Sequence, residues 1–167
     1  DSGNLLGALW TLEHGIDEMI RGPILDAKVF AGLRDTGEIL KQTAEEEGVS
    51  GLRAGLFDEL MRAWENPPDR IVDALRLLRR METDAKVFAG AWRGSVDSTA
   101  GAVYWADQIE GQLSSWLGIA DRYLAWIEIL GEKTDEEIAL LGPDASLACR
   151  ERLHQAPSLL DVANGNV

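Results

Sequence analysis

Apolar residues recur at every third or fourth position through the middle of the chain, and this spacing restricts the possible folds more than any other feature. From Ile71 to Trp92, apolar residues at steps of three or four form one stripe along a helix: Ile71, Leu75, Leu78, Met81, Ala85, Phe88 and Trp92. Such a stripe has to be buried against other helices. No segment alternates apolar and polar residues with the period of two that is typical of strands. The sequence therefore predicts an all-α fold.

The same spacing predicts further helices on both sides of this one. The first carries Leu5, Leu9, Leu12, Ile16 and Ile20, the second Leu25, Val29, Leu33 and Leu40, and the third Leu52, Leu56, Leu60 and Trp64. We expect Gly22-Pro23 to end the first helix and start the second, because proline suits the first turn of a helix. Asn66-Pro-Pro68 is expected to end the third.

The longest predicted helix runs from about Asp97 to Leu130, roughly 30 residues. Gly101, Gly111 and Gly118 lie inside it, and each costs about 1 kcal/mol relative to alanine, which predicts a kink or a close helix contact there. Thr134-Asp-Glu-Glu137 is a capping-box sequence, and two short helices are predicted after it. The prediction is a single helical domain over 1–167 with six to eight helices in an antiparallel, bundle-like array.

Charge excludes two classes of partner. The 16 basic and 29 acidic residues give a formal net charge of −13. Nucleic acids and anionic membranes require clustered lysine and arginine, so we expect no nucleic-acid partner. No stretch of about 20 apolar residues is present, so no membrane insertion by this segment is expected. The chain opens on Asp1 without an initiator methionine, and we expect it to be a piece of a longer protein.

Candidate catalytic, cofactor or metal residues do not emerge from the residue pattern. His14 and His154 are the two histidines, and neither has a second ligand at metal spacing; Cys149 is the single cysteine. No phosphate-binding glycine loop and no distinguished carboxylate pair is present, so no cofactor, metal or catalytic residue is predicted. The six tryptophans are interpreted as core packing, with a sugar-stacking platform as the alternative.

One heptapeptide occurs twice. Asp26–Gly32 and Asp84–Gly90 both read Asp-Ala-Lys-Val-Phe-Ala-Gly. The two copies could mark tandem helix pairs or two unrelated packing sites that happen to share residues.

The first residues, Asp1-Ser-Gly-Asn-Leu-Leu-Gly7, run directly into an amphipathic helix. This stretch resembles the D-S-G-N-L-x-G segment in the middle of bacterial cyclic β-1,2-glucan synthases, before their glycoamylase-like helical region. A histidine often follows the second glycine in that family, whereas this chain has Ala8. The resemblance makes Asp1, Ser2 and Asn4 the motif positions, either capping the first helix or contacting a glucan hydroxyl group.

The resemblance implies that the parent is a very large inner-membrane enzyme that uses UDP-glucose to elongate and cyclise a β-1,2-glucan. This segment would lie on the cytoplasmic side and contact other domains of the parent, with the β-1,2-glucan as a further candidate partner. It would be inactive alone, since its helices are too few to close an (α/α)-barrel. The alternative function is a stand-alone helical protein-interaction module with an exposed apolar stripe.

Overall fold

The computed structural model describes residues 2–48, 54–95 and 99–166. Within these ranges the chain is helical and contains no strands, which confirms the all-α prediction. Nine helices are present there, one more than the upper end of the predicted range: α1 (Ser2–Arg21), α2 (Ala27–Glu46), α3 (Ala54–Glu65), α4 (Ile71–Arg93), α5 (Ala100–Tyr123), α6 (Ala125–Gly131), α7 (Asp135–Ala139), α8 (Pro143–Arg152) and α9 (Leu159–Ala163).

The body is built around α5, which packs against α4 on one side and α2 on another. Arg93, at the end of α4, binds Asp107 near the start of α5 at 2.8 Å. Arg79, one-third of the way along α4, reaches Asp121 near the end of α5 at 2.5 Å. Late residues of one helix therefore meet early residues of the other, and the two helices are antiparallel as predicted.

The contact between α2 and α5 follows the same antiparallel order. The Gln112 amide donates to the Thr36 hydroxyl at 2.9 Å, and Thr99, the N-cap of α5, donates to Glu47 at the end of α2. Gly101 allows this approach, because a Cβ there would lie 3.0 Å from a methyl carbon of Thr43. One of the three glycines in the predicted long helix thus serves a close helix contact. A Cβ at Gly111 or Gly118 would meet nothing within 4 Å.

The stripe of α4 forms the centre of the core. All seven of its predicted residues are buried, and Phe88 stacks on Phe57 of α3 with ring centroids 5.5 Å apart. The core is completed by Leu33 and Leu40 of α2 and by Ile109 and Leu113 of α5, all four fully buried. Helices α2 to α5 therefore enclose one continuous apolar cluster.

The predicted helix of about 30 residues is wrong in length. It ends at Tyr123 after 24 residues, and the chain continues as the separate helix α6. Leu124 leaves helical geometry at φ −122° and ψ 4°, and the Trp126 indole N–H donates to the Tyr123 carbonyl at 3.1 Å. The apolar stripe nevertheless continues across the break, since Leu124 and Ile127 are buried.

The start of the second helix also differs from the prediction. Pro23 does not lie in the first turn of α2 but forms an isolated antiparallel bridge with Ser158, just before α9. The Ile24 N–H donates to the Pro157 carbonyl at 2.9 Å. Helix α2 begins four residues after Pro23, at Ala27, where the Asp26 carboxylate caps it by accepting from the Lys28 N–H at 2.8 Å.

The two identical heptapeptides occupy different environments. Asp26 caps the start of α2, whereas Asp84 lies in the middle of α4. Val29 is 5% exposed, and its counterpart Val87 is 56% exposed. The same seven residues therefore present different faces to the core, which favours two unrelated packing sites over a tandem repeat.

Candidate functional site

Helix α1 lies outside the core, and its apolar stripe faces solvent. Ile20, at its end, is half-buried, but the stripe residues before it are 43% to 67% exposed: Leu5, Leu9, Leu12, Ile16 and Met19. Among the other described helices, α9 is the one against which α1 makes more than slight contact, close to the Pro23–Ser158 bridge. The helix is thus attached at its C-terminal end, and its apolar face has no cover in the described part of the chain.

Of the motif residues predicted as glucan contacts, Ser2 and Asn4 lie in the first turn of this helix. Asp1 lies outside the described residues, and Ser2 opens α1, although its side chain is likewise outside them. Asn4 is exposed in the first turn. With Thr11 and Glu18, which follow at intervals of seven residues, Asn4 shares a polar face outside the apolar stripe. The structure does not bring Asn4 together with another predicted site residue.

A cleft of about 270 Å³ lies at the foot of α2, between the α1–α2 connection, the loop before α4 and the segment before α9. Its walls are Pro23, Pro67 and Phe30, and its polar groups include Asp69 and His154. This mixture of ring carbons, carboxylate and imidazole can hold a small hydroxylated molecule by hydrogen bonds and apolar contact. No pattern in the sequence indicates this cleft, because loops that are distant in the chain form it.

The tryptophans divide into packing residues and one exposed ring. Trp64 and Trp92 are buried, and Trp92 packs on Phe88 with ring centroids 5.9 Å apart. Trp105, Trp116 and Trp126 are half-buried against the core. Trp10 is 65% exposed on α1, with its ring centroid 5.9 Å from that of His14. Core packing therefore accounts for five of the six, and sugar stacking stays open for Trp10.

Two arginines of α4 are held by pairs of carboxylates. Arg79 donates to Glu128 of α6 at 2.6 Å and to Asp121 of α5 at 2.5 Å, and these hydrogen bonds raise the pKa of its guanidinium. Arg93 binds Asp107 and Glu110 of α5 in the same way. Each carboxylate is partnered by an arginine that joins two helices, so both clusters act as connections within the body.

Glu82, also on α4, lies beside two groups that stabilise its charged carboxylate. Lys86 lies 2.7 Å from its carboxylate, and the Ser114 hydroxyl of α5 donates to it at 2.9 Å. Both contacts favour the charged form, so the pKa of Glu82 lies below its ordinary value of 4.5. The group stabilises the α4–α5 contact and is not poised to exchange protons near neutral pH.

No group of three or more His, Cys, Asp or Glu side chains within 2–48, 54–95 and 99–166 is arranged to hold a metal ion. Helices of the described ranges do not combine the length and apolar character that crossing a membrane requires. No protein-family model, curated protein or solved structure matches this chain.

Proposed function

We propose that the chain is a non-catalytic helical subdomain of a cyclic β-1,2-glucan synthase, in which it is a scaffold that also contacts the glucan. The observation that carries the proposal is the Asp1–Gly7 segment, which resembles the family motif and continues into the exposed helix α1. The parent enzyme would elongate and cyclise the glucan from UDP-glucose at the inner membrane, with this subdomain on the cytoplasmic side and other parent domains as its partners.

The position of α1 supports a subdomain role. Burying apolar surface contributes roughly 25 cal/mol of stabilisation for each Å² removed from water. The apolar residues of α1 are about half exposed, so a surface that covered them would stabilise the helix. The α2–α5 body, in contrast, encloses its own core. This combination is typical of a folded unit that uses one helix to contact a neighbour.

Glucan contact is proposed for the polar face of α1 at Asn4. Its amide supplies both donors and an acceptor, which suits the hydroxyl groups of a glucose chain. Thr11 provides a matched control on the same face, because its hydroxyl already donates to the Gly7 carbonyl at 2.9 Å.

The glucan proposal is tested by titrating linear and cyclic β-1,2-glucan into the chain by calorimetry, with a β-1,3-glucan as the specificity control. We expect Asn4→Ala to weaken β-1,2-glucan binding several-fold, the cost of about one hydrogen bond, and Thr11→Ala to leave it unchanged. No turnover is expected on incubation with UDP-glucose and β-1,2-glucan. Turnover, or equal binding of the two glucan classes, would contradict the proposal.

The second candidate is a stand-alone helical interaction module, and the exposed stripe of α1 favours it. The size of the native protein separates the two. An antibody against the chain should detect a very large species in the membrane fraction if the synthase proposal holds. A soluble species near 18.3 kDa would contradict the synthase proposal and support the stand-alone interaction module.

A further inference from the structure

We propose that the apolar stripe of α1 is a docking surface for one kind of partner, an amphipathic helix whose apolar stripe is bordered by lysine or arginine. The stripe is defined by Leu5, Leu9, Leu12, Ile16 and Met19. This inference holds whether the chain is a synthase subdomain or a stand-alone module, since it concerns the chemistry of the occupant.

The spacing along the stripe is that of a coiled-coil seam. Successive residues are separated by four, three, four and three positions, which is the a/d pattern of a heptad repeat. Every member is exposed and the surrounding described residues do not cover it. A seam of this kind packs best against a second helix, because each side chain then inserts between four residues of the partner.

The two borders of the stripe are chemically different. Ala8 and Gly15 follow one edge at the spacing of a heptad, and a Cβ added at Gly15 would meet nothing within 4 Å. Nothing described in this chain therefore requires a glycine there, although glycine costs about 1 kcal/mol inside a helix. A partner helix approaching closely along this edge gives the small residues a role.

The opposite border carries two carboxylates beside the exposed apolar residues Leu6 and Trp10. Glu13 lies next to the seam, and Asp17 lies one turn further along and farther out. Asp17 is bound by Arg21 at 2.8 Å, whereas Glu13 is paired with no cation among the described residues. A lysine or arginine on the border of the partner helix would complement Glu13 and fix the side on which the partner lies.

The acidic residues also argue against two other occupants of the stripe, a second copy of this chain and a lipid surface. A second copy brings another formal charge of −13, and an antiparallel pairing centred on Leu12 would place Glu13 beside its own counterpart. A lipid surface is favoured by helices with lysine and arginine on their polar face, whereas this helix has carboxylates at Glu13, Asp17 and Glu18.

The test uses the 167-residue chain and two synthetic helical peptides of about three heptads, both with leucine at the seam positions. One peptide has lysine on both borders and the other has glutamate, so each repels itself. Calorimetry gives the affinities, and amide hydrogen exchange shows where the peptide binds. We expect the lysine peptide to bind at least roughly tenfold more tightly and to slow exchange over residues 4–21.

Two double variants and one control test whether the charged border and the apolar seam act as proposed. Glu13→Lys combined with Asp17→Lys should reverse the preference, so that the glutamate peptide binds more tightly. Glu18→Lys, the control, reverses a single charge on the other side of the helix and should alter neither affinity more than about twofold. Leu9→Ser with Leu12→Ser should abolish binding of both peptides and leave the unfolding of the body unchanged.

Three results would overturn the proposal. If the charge reversal left both affinities unchanged, the partner would not need lysine or arginine beside its apolar stripe. Concentration-dependent dimerisation of the chain with protection of residues 4–21 would make a second copy the occupant. Protection of the same residues by phosphatidylcholine vesicles would make it a lipid surface.

Discussion

Gly131 lets the last turn of α6 lie directly against Val72 at the start of α4. A Cβ at this position would overlap Cγ2 of Val72 and lie 3.2 Å from its Cβ, so rotating the valine does not remove the conflict. Val72 is fully buried and has no free space to move into. The glycine is thus required by packing, although its backbone conformation is an ordinary helical one.

We therefore expect Gly131→Ala to lower the free energy of unfolding by about 1–3 kcal/mol, as over-packing of a core commonly does. Gly111→Ala is the matched control, because Gly111 is exposed in the middle of α5 with nothing near its Cβ position. It should raise stability by up to about 1 kcal/mol. Urea unfolding of the two variants measures both effects, and changes of the same sign would contradict this account of Gly131.

Glu82 predicts a dependence of stability on pH. Its pKa is lowered in the folded chain, first by Lys86 and then by the Ser114 hydroxyl. A carboxylate with a lowered folded pKa stabilises the fold above its unfolded pKa of about 4.5, and this contribution disappears as the pH falls through the lowered value. Glu82→Gln removes that contribution while keeping the size of the side chain.

The variant should therefore be less stable than the parent chain by up to about 1 kcal/mol at neutral pH, and the difference should shrink as the pH falls below the unfolded pKa of about 4.5 and through the lowered folded value. Urea unfolding at several pH values gives the comparison. A difference that stays constant across this range would mean that the charge of Glu82 does not contribute.

At the scale of elements, periodicity located helices but not every helix end. The stripe of α4 was predicted correctly from Ile71 to Trp92, since one uninterrupted spacing defines it. The break at Leu124 was missed because the apolar spacing continues across it to the buried Ile127. A hydrogen bond from Trp126 maintains the break, and Arg79 joins the helices on both sides of it to α4. These tertiary contacts leave no periodic signal.

The candidate site shows a different limit. Spacing identified the apolar face of α1 but could not say what lies against it, because burial depends on where the whole element is placed. Met19 was missed, although its interval of three after Ile16 fits a heptad and would have revealed the seam. The cleft at the foot of α2 depends on loops far apart in the chain, and its residues share no local pattern.

At the scale of the molecule, the chain divides into a body that supplies its own core and a helix that contributes almost nothing to it. The buried residues begin at Leu25, and within the described part of α1 Ile20 alone is even half-buried. Helices in proteins take most of their stability from tertiary packing, and the 20 residues of α1 have little of it within the described part of the chain. Stability of the body and exposure of α1 are therefore separate properties.

Removal of residues 1–21, with Pro23 and its bridge to Ser158 kept, should leave the body folded. We expect the free energy of unfolding to change by less than about 1 kcal/mol and the melting midpoint to move by no more than about 4 °C. Leu33→Ala in the full chain is the control for a true core residue and should cost about 2–5 kcal/mol, because Leu33 is fully buried in the α2–α5 cluster. Circular dichroism with thermal unfolding measures both. If the shortened chain lost cooperative unfolding, α1 would belong to the body. Its apolar stripe would then contribute to the fold and would not be a docking surface.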